Sequence, residues 1–239
     1  MNKNICVGIP HTGIFSWNTT SALLGLIIPN GWNVLYHMVG SCLVYDAREK
    51  IVQFAKDNKC KYVMMLDSDM TPPKDTLLKM VGLLEDKKEI DIVSGTIFKR
   101  TPPFQPCFYS TLEYNFDEQK PYLESPVEFP NEGLLPLAGV GLAGCLIRMS
   151  LFDRIDEKKT EKLKSYFFPL PNMGEDLTFC ITARKLANCK IVCALSINIG
   201  HVASMVIEKE HFQACYEEFK SKENGQTLFV DEDGKEKIS

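Results

Sequence analysis

The chain has 239 residues, about one and a half typical domain lengths, so one large domain or one domain with an extension is expected. Hydrophobic and charged shares of 45% and 24% exclude a disordered chain, a collagen-like repeat and a disulfide miniprotein. A net charge of −4 excludes a general affinity for polyanions but leaves room for a local basic patch. No apolar stretch reaches the roughly 18–20 residues that span a bilayer. The longest, Ser21–Ile28 and Leu137–Ile147, are short and Gly-rich. The opening residues MNKNICVGIPHTG lack the apolar core and cleavage site of a secretory signal, so a cytoplasmic protein is the expectation. Nine scattered cysteines without a C-x-x-C pair read as buried, reduced thiols rather than a disulfide framework or zinc site.

In chain order, a strand over Asn4–Ile9 is halted by Pro10 and Gly13, and Ser16 caps an apolar helix through Ile28. Pro29-Asn30-Gly31 is a turn before a second strand, Trp32–Met38. Helical spacing over Tyr45–Lys56 puts Ile51, Phe54 and Ala55 on one face. The continuous apolar run Lys61–Leu66 predicts a strand buried on both faces. Pro72-Pro73 opens a helix to about Leu84, and Asp91–Phe98 is a further buried strand. Strands alternating with helices at this spacing predict a doubly wound α/β sheet, mostly parallel.

After residue 100 the pattern changes to an α+β half. Thr101–Pro130 is rich in proline and aromatics, Leu134–Met149 is apolar and punctuated by glycine, and Asn172–Ala187 is a helix. Lys190–Ser196 reads as the core of a strand running to Ile199, and Ile207–Lys220 as a helix. The chain divides into one domain, residues 1–221, and a charged tail, 222–239, expected to fray.

The segment Asp67-Ser68-Asp69 sets two carboxylates at the end of a buried strand. Ligands in open α/β sheets bind there, and paired acids suit a hard divalent cation. A plain turn capping the next helix is the competing reading. Asn172-Met173-Gly174-Glu175-Asp176 opens a helix, with Glu175 explained as a capping box with Asn172. Asp176 at a helix start is placed for general-base work. Gly200-His201 follows a strand, where an imidazole can complete a metal site. Lys99-Arg100 reads as a solvated pair, and the mixed charges from Asp153 to Lys164 as an exposed helix face. Pro106–Tyr122 reads as core and turn.

Asp67-Ser68-Asp69, Gly174-Glu175-Asp176 and Gly200-His201, in this order, resemble the nucleotide-sugar-dependent glycosyltransferases of the GT-A fold, particularly glycosyltransferase family 2. Ala47-Arg48 and Leu142-Ala143-Gly144 extend the resemblance over roughly residues 4 to 205. It implies a GT-A-like, Rossmann-related single domain acting as a hexosyltransferase-type enzyme. Asp69 would be the main metal ligand, with Asp67 near the ribose or metal, His201 completing a Mn2+ or Mg2+ site, and Ser68 carried between the two acids. Pro10, His11 and Arg48 would hold the nucleotide, and Ala143 and Gly144 would pass the donor sugar. Asp176 would be the base of an inverting transfer. A UDP-sugar is the favoured donor. The acceptor is left open among a glycan, a protein side chain, a lipid-linked glycan and a hydroxylated DNA base, with acceptor choice made around residues 100–170. The first loop, Ile9-Pro10-His11-Thr12-Gly13, departs from the family's commoner pattern.

Three alternatives compete. Asp67-Ser68-Asp69-Met70-Thr71 also fits the D-x-D-x-T motif of haloacid-dehalogenase-like phosphohydrolases, with Asp67 as nucleophile. That family carries the motif on its first strand and needs a later acidic cluster, and this chain has neither. A sugar-nucleotide pyrophosphorylase needs a Gly-rich basic N-terminal loop, also absent. A non-catalytic sugar- or metal-binding module would bind without turnover.

Overall fold

The computed structural model describes residues 3–13, 15–41, 43–160, 163–203, 228–230 and 236–238. Two compact units divide the chain, Met1–Val202 and Ala203–Ser239. In the second, β14 (Leu228–Val230) and β15 (Glu236–Ile238) pair antiparallel. The helix expected over Ile207–Lys220 lies outside the described residues.

The first unit is built on β1 (Asn4–His11), α1 (Trp17–Leu24), β2 (Asn33–Gly40), α2 (Val44–Asp57), β3 (Tyr62–Leu66), β4 (Met70–Thr71), α3 (Thr76–Asp86) and β5 (Ile92–Thr96). Its second half adds β6 (Phe108–Tyr109), β7 (Thr111–Asn115), β8 (Lys120–Glu124), β9 (Leu134–Leu137), β10 (Gly139–Val140), β11 (Gly144–Arg148), α4 (Met149–Asp156), α5 (Glu175–Ala187), β12 (Ile191–Asn198) and β13 (Gly200–His201). Seven strands form the central sheet in the order β2-β1-β3-β11-β5-β12-β9. β1, β2 and β3 pair in parallel, as do β5 and β12; β11 and β9 run against them. This is the α/β, mostly parallel sheet that the alternating pattern predicts.

The pleat decides which side chains meet which helices. Along β3, Val63 and Met65 join one core with Ala47 and Ile51 of α2, Phe152 of α4 and Phe179 of α5. Tyr62, Met64 and Leu66 join the opposite core with Leu23 of α1 and with Leu77 and Met80 of α3. All five β3 residues are therefore buried, which is why the run is continuously apolar rather than alternating.

Helix boundaries differ from expectation for local reasons. Ser16 does cap α1, its hydroxyl accepting the Asn18 N–H, but the helix stops at Leu24 because Gly25 closes it, four residues short of Ile28. The helix expected from Asn172 begins at Glu175, since Asn172 sits at φ 61 and Gly174 is the N-cap. No capping box forms. None of the seven described cysteines is disulfide-bonded, and all but Cys107 are buried.

Two glycines give opposite tests of this packing. A Cβ at Gly95 on β5 would meet the Ile197 carbonyl oxygen at 2.7 Å, whereas one at Gly82, exposed on α3, meets nothing within 4 Å. Gly95→Ala should cost about 1–3 kcal/mol in denaturant unfolding, and Gly82→Ala should add about 0.5–1 kcal/mol. Equal effects would contradict this packing.

Candidate active site

The chain runs from β1 through α1 to β2 on one side, then through α2 to β3 on the other. β1 is therefore the switch point, where loops diverge and leave a crevice at the strand ends. A cleft of about 250 Å³ lies there, lined by Pro10 and His11 at the end of β1 and Thr12 beyond it, Ser41 and Val44 after β2, and Asp67, Ser68 and Asp69 after β3. The structure thus brings Pro10, His11 and the whole Asp67–Asp69 segment into one cavity. Ser41 and Val44 went unrecognised, although the strand-end rule applied to β2 would have found them.

Arg48 of α2 lies beneath this cleft, only 3% exposed. Its Nη2 donates to Asp67 Oδ1 at 2.9 Å and its Nε to Glu175 Oε1 at 3.2 Å. Its Nη1 is buried without a partner among the described residues. Burial opposes the Arg48 charge, but Asp67, Glu175 and Asp176 together outweigh it and hold its pKa above the ordinary arginine value. Glu175 therefore serves an ion pair rather than the expected helix cap.

Asp176 occupies the first turn of α5, its Oδ1 accepting the Leu177 N–H at 2.7 Å. A side chain at Gly174 would come within 2.8 Å of that same oxygen, so the N-cap must be glycine for the carboxylate to sit as it does. Burial, then repulsion from Glu175, pushes the Asp176 carboxyl up to about 6, against the pull of Arg48 and the Leu177 N–H. Cys107 is close enough to feel Asp176 and Asp67, and burial raises its thiol pKa. Nothing in the sequence pattern singled it out.

β11 is wedged antiparallel between β3 and β5, with Gly144 opposite Leu66. That direction delivers its entry loop to the acidic end of β3, where the Ala143 carbonyl accepts the Asp67 N–H at 3.2 Å. Gly144 itself is buried, and the space a side chain would need is taken by Ile199 and Ile97.

Asp69 has partners of its own. Pairing of β13 with β4 sets His201 opposite Met70 and brings its Nε2 to 3.4 Å from Asp69 Oδ2. Arg100 also reaches Asp69 Oδ2, at 3.0 Å, so it is an ion-pair partner and not merely a solvated charge. His201 Nδ1 lies 2.9 Å from the Phe98 carbonyl. A carbonyl only accepts, so Nδ1 carries a proton and Nε2 is the ring nitrogen that faces Asp69. The pair sets one nitrogen beside one oxygen, and that same oxygen is shared with Arg100. Asp67 Oδ1 is held by Arg48, and no three His, Cys, Asp or Glu groups cluster at metal-binding spacing among the described residues.

No protein-family model matches the sequence, and no curated protein does. Among solved structures the chain is similar to A197 from STIV, with a TM-score of 0.58 and 16% identity over 85% of this chain and 87% of that one. It is more loosely similar to S. aureus TarS 1–349 in complex with UDP-GlcNAc, with a TM-score of 0.49 and 14% identity over 88% of this chain and 61% of that one. The first likeness shows a shared fold, and the second adds nothing to it.

The Arg48 centre is open to a direct test. Arg48→Met leaves two carboxylates facing each other without their cation, and should lower stability at pH 7 by about 3–5 kcal/mol in urea unfolding. Arg48→Lys should recover only part, because an ammonium cannot fork two carboxylates as a guanidinium does.

Proposed function

We propose that this chain is a GT-A-like glycosyltransferase that moves a sugar from a nucleoside diphosphate sugar, UDP favoured, to an acceptor hydroxyl with inversion. The observation that carries the reading is the convergence on Arg48. Asp67 at the cleft and Glu175, next to Asp176, are bound to one buried cation although they lie more than a hundred residues apart. A donor-binding acid and a carboxylate with a pKa near 6 are the two parts an inverting transfer requires.

In this reading Pro10, His11, Ser41 and Ser68 line the nucleotide's cleft and Ala143 borders the sugar. The bond between the anomeric carbon and the diphosphate oxygen breaks as the acceptor oxygen attacks the opposite face. Asp176 takes the hydroxyl proton. Asp69 and His201 are the residues that would hold a Mn2+ or Mg2+ ion. Such an ion, when bound, neutralises charge on the departing diphosphate as a Lewis acid. Arg100, partly exposed beside Asp69, adds a second positive charge on that side. Asp67 supports the nucleotide from its fixed position on Arg48. A membrane-spanning role has no helix long and apolar enough among the described residues. The acceptor stays within the four classes that the resemblance leaves open.

The pH behaviour is set by Asp176. The base must be ionised, so kcat/KM should rise about tenfold per pH unit below pH 6 and level off above it. Asp176→Asn should lose on the order of 10²–10⁴ in transfer while donor affinity is kept. Because the folded pKa is raised above the usual carboxylate value, ionising Asp176 destabilises the fold. The Asn variant should therefore melt higher than the parent above pH 6, with the gap closing below about pH 4. A screen of nucleotide sugars for released nucleotide tests the whole reading. Release from none, or turnover of p-nitrophenyl phosphate instead, refutes it.

The cation site has its own readout. Mn2+ binding followed by electron paramagnetic resonance in the absence of donor should weaken at least about tenfold in Asp69→Asn and in His201→Ala. Unchanged binding in both would remove these residues from the metal role.

A further inference from the structure

Between Lys3 and Asp46 the chain carries no Lys, Arg, Asp or Glu. At the chain's own charged share of 24%, about ten would be expected over such a length. Burial accounts for the lack of charge in β1 but not in α1 and β2. Trp17 and Leu24 of α1 are 78% and 83% exposed, and Ile27, Ile28, Tyr36 and Met38 are each more than two-fifths exposed. Leu24, Ile28, Tyr36 and Met38 border one apolar groove of about 540 Å³ between α1 and β2.

β2 is also the terminal strand of the central sheet, eight residues long. Among the described residues no strand pairs with its outer side. Its sequence, NVLYHMVG, contains neither a charge nor a proline, the usual devices that keep a strand edge from pairing with another chain.

We propose that this face is a homodimer interface, in which β2 of one copy pairs antiparallel with β2 of another and the α1 grooves close over each other. Three features favour a second copy over other occupants. An open strand edge needs a peptide backbone to satisfy it, which a lipid surface does not supply. A surface without charge is compatible with itself under two-fold symmetry, where one patch faces its own copy, and charge depletion marks interface cores. A membrane-binding face would carry Lys or Arg along its polar side, and α1 carries Asn18, Thr20 and Ser21 instead. Four of the six exposed side chains, Leu24, Ile28, Tyr36 and Met38, border the groove itself, and strand pairing along the eight residues of β2 would bury surface beside them. The proposal stands whether or not the chain is a glycosyltransferase.

The test is sedimentation velocity on the full chain from about 1 to 100 µM, a range that reaches the weak end of standard-size interfaces. A reversible species of twice 27.0 kDa is expected at the upper end. Leu24→Lys, and separately the pair Tyr36→Lys and Met38→Lys, should weaken assembly at least about tenfold. Because these side chains are exposed, circular dichroism and melting temperature should be unchanged. A chain monomeric at every concentration, or a dimer indifferent to both variants, overturns the proposal. So does a monomer that co-sediments with phosphatidylcholine or phosphatidylserine vesicles and loses them in Leu24→Lys.

Discussion

A guanidinium cannot lie nearly dry inside a protein without carboxylates around it, and this is the constraint on which the site depends. Arg48 is delivered to the interior by α2, whose Ala47, Ile51 and Val52 are buried in the same core. Once there it requires Asp67 from the end of β3 and Glu175 from the start of α5. Asp67 comes from the neighbouring strand of the same half, but Glu175 is reachable only when the second half of the chain has docked on that face of the sheet. The ion triad thus reports that the fold is complete. Asp176 follows next in the chain, its carboxyl pushed up first by burial and then by its neighbour Glu175, against the pull of the shared arginine.

The second half contributes by interrupting the parallel order. A parallel strand between β3 and β5 would arrive at the acidic end with its own C-terminus. Because β11 runs the other way, its N-terminal loop Leu142-Ala143-Gly144 arrives there instead, and the Asp67 N–H finds the Ala143 carbonyl. The short pairing of β13 with β4 does the same for His201, which would otherwise have no reason to face Asp69. Gly200 is needed for that pairing, since a side chain there would collide with the Thr71 hydroxyl.

Much of the fold was legible in the sequence because buried parallel strands and their covering helices leave unambiguous apolar runs, as at Tyr62–Leu66 and Ile92–Thr96. The strand-end position of Asp67 and Asp69 came from the same reading. What sequence could not reveal were partnerships across long separations. Glu175 looked like a local cap because Asn172 stands three residues before it, and only tertiary structure supplies Arg48 as a stronger partner. Arg100 looked solvated because its partner, Asp69, sits on another strand end. Cys107 enters the neighbourhood of Asp176 through an irregular loop that has no periodicity to read. The antiparallel direction of β11 was equally hidden, since an apolar strand reads the same either way.

That wedge has a mechanical meaning. β3, β11, β5 and β12 are hydrogen-bonded edge to edge in one sheet, so the strands of early sequence that carry the cleft and those of late sequence beside it belong to one continuous stiff layer. Such a body cannot shut by swinging one half onto the other. Under the proposed transfer, shielding of a reacting bond from water would fall to whatever the loops at the strand ends can cover. The rate at which a bound donor would be wasted on water, relative to productive transfer, would then be a property of those loops and not of the sheet.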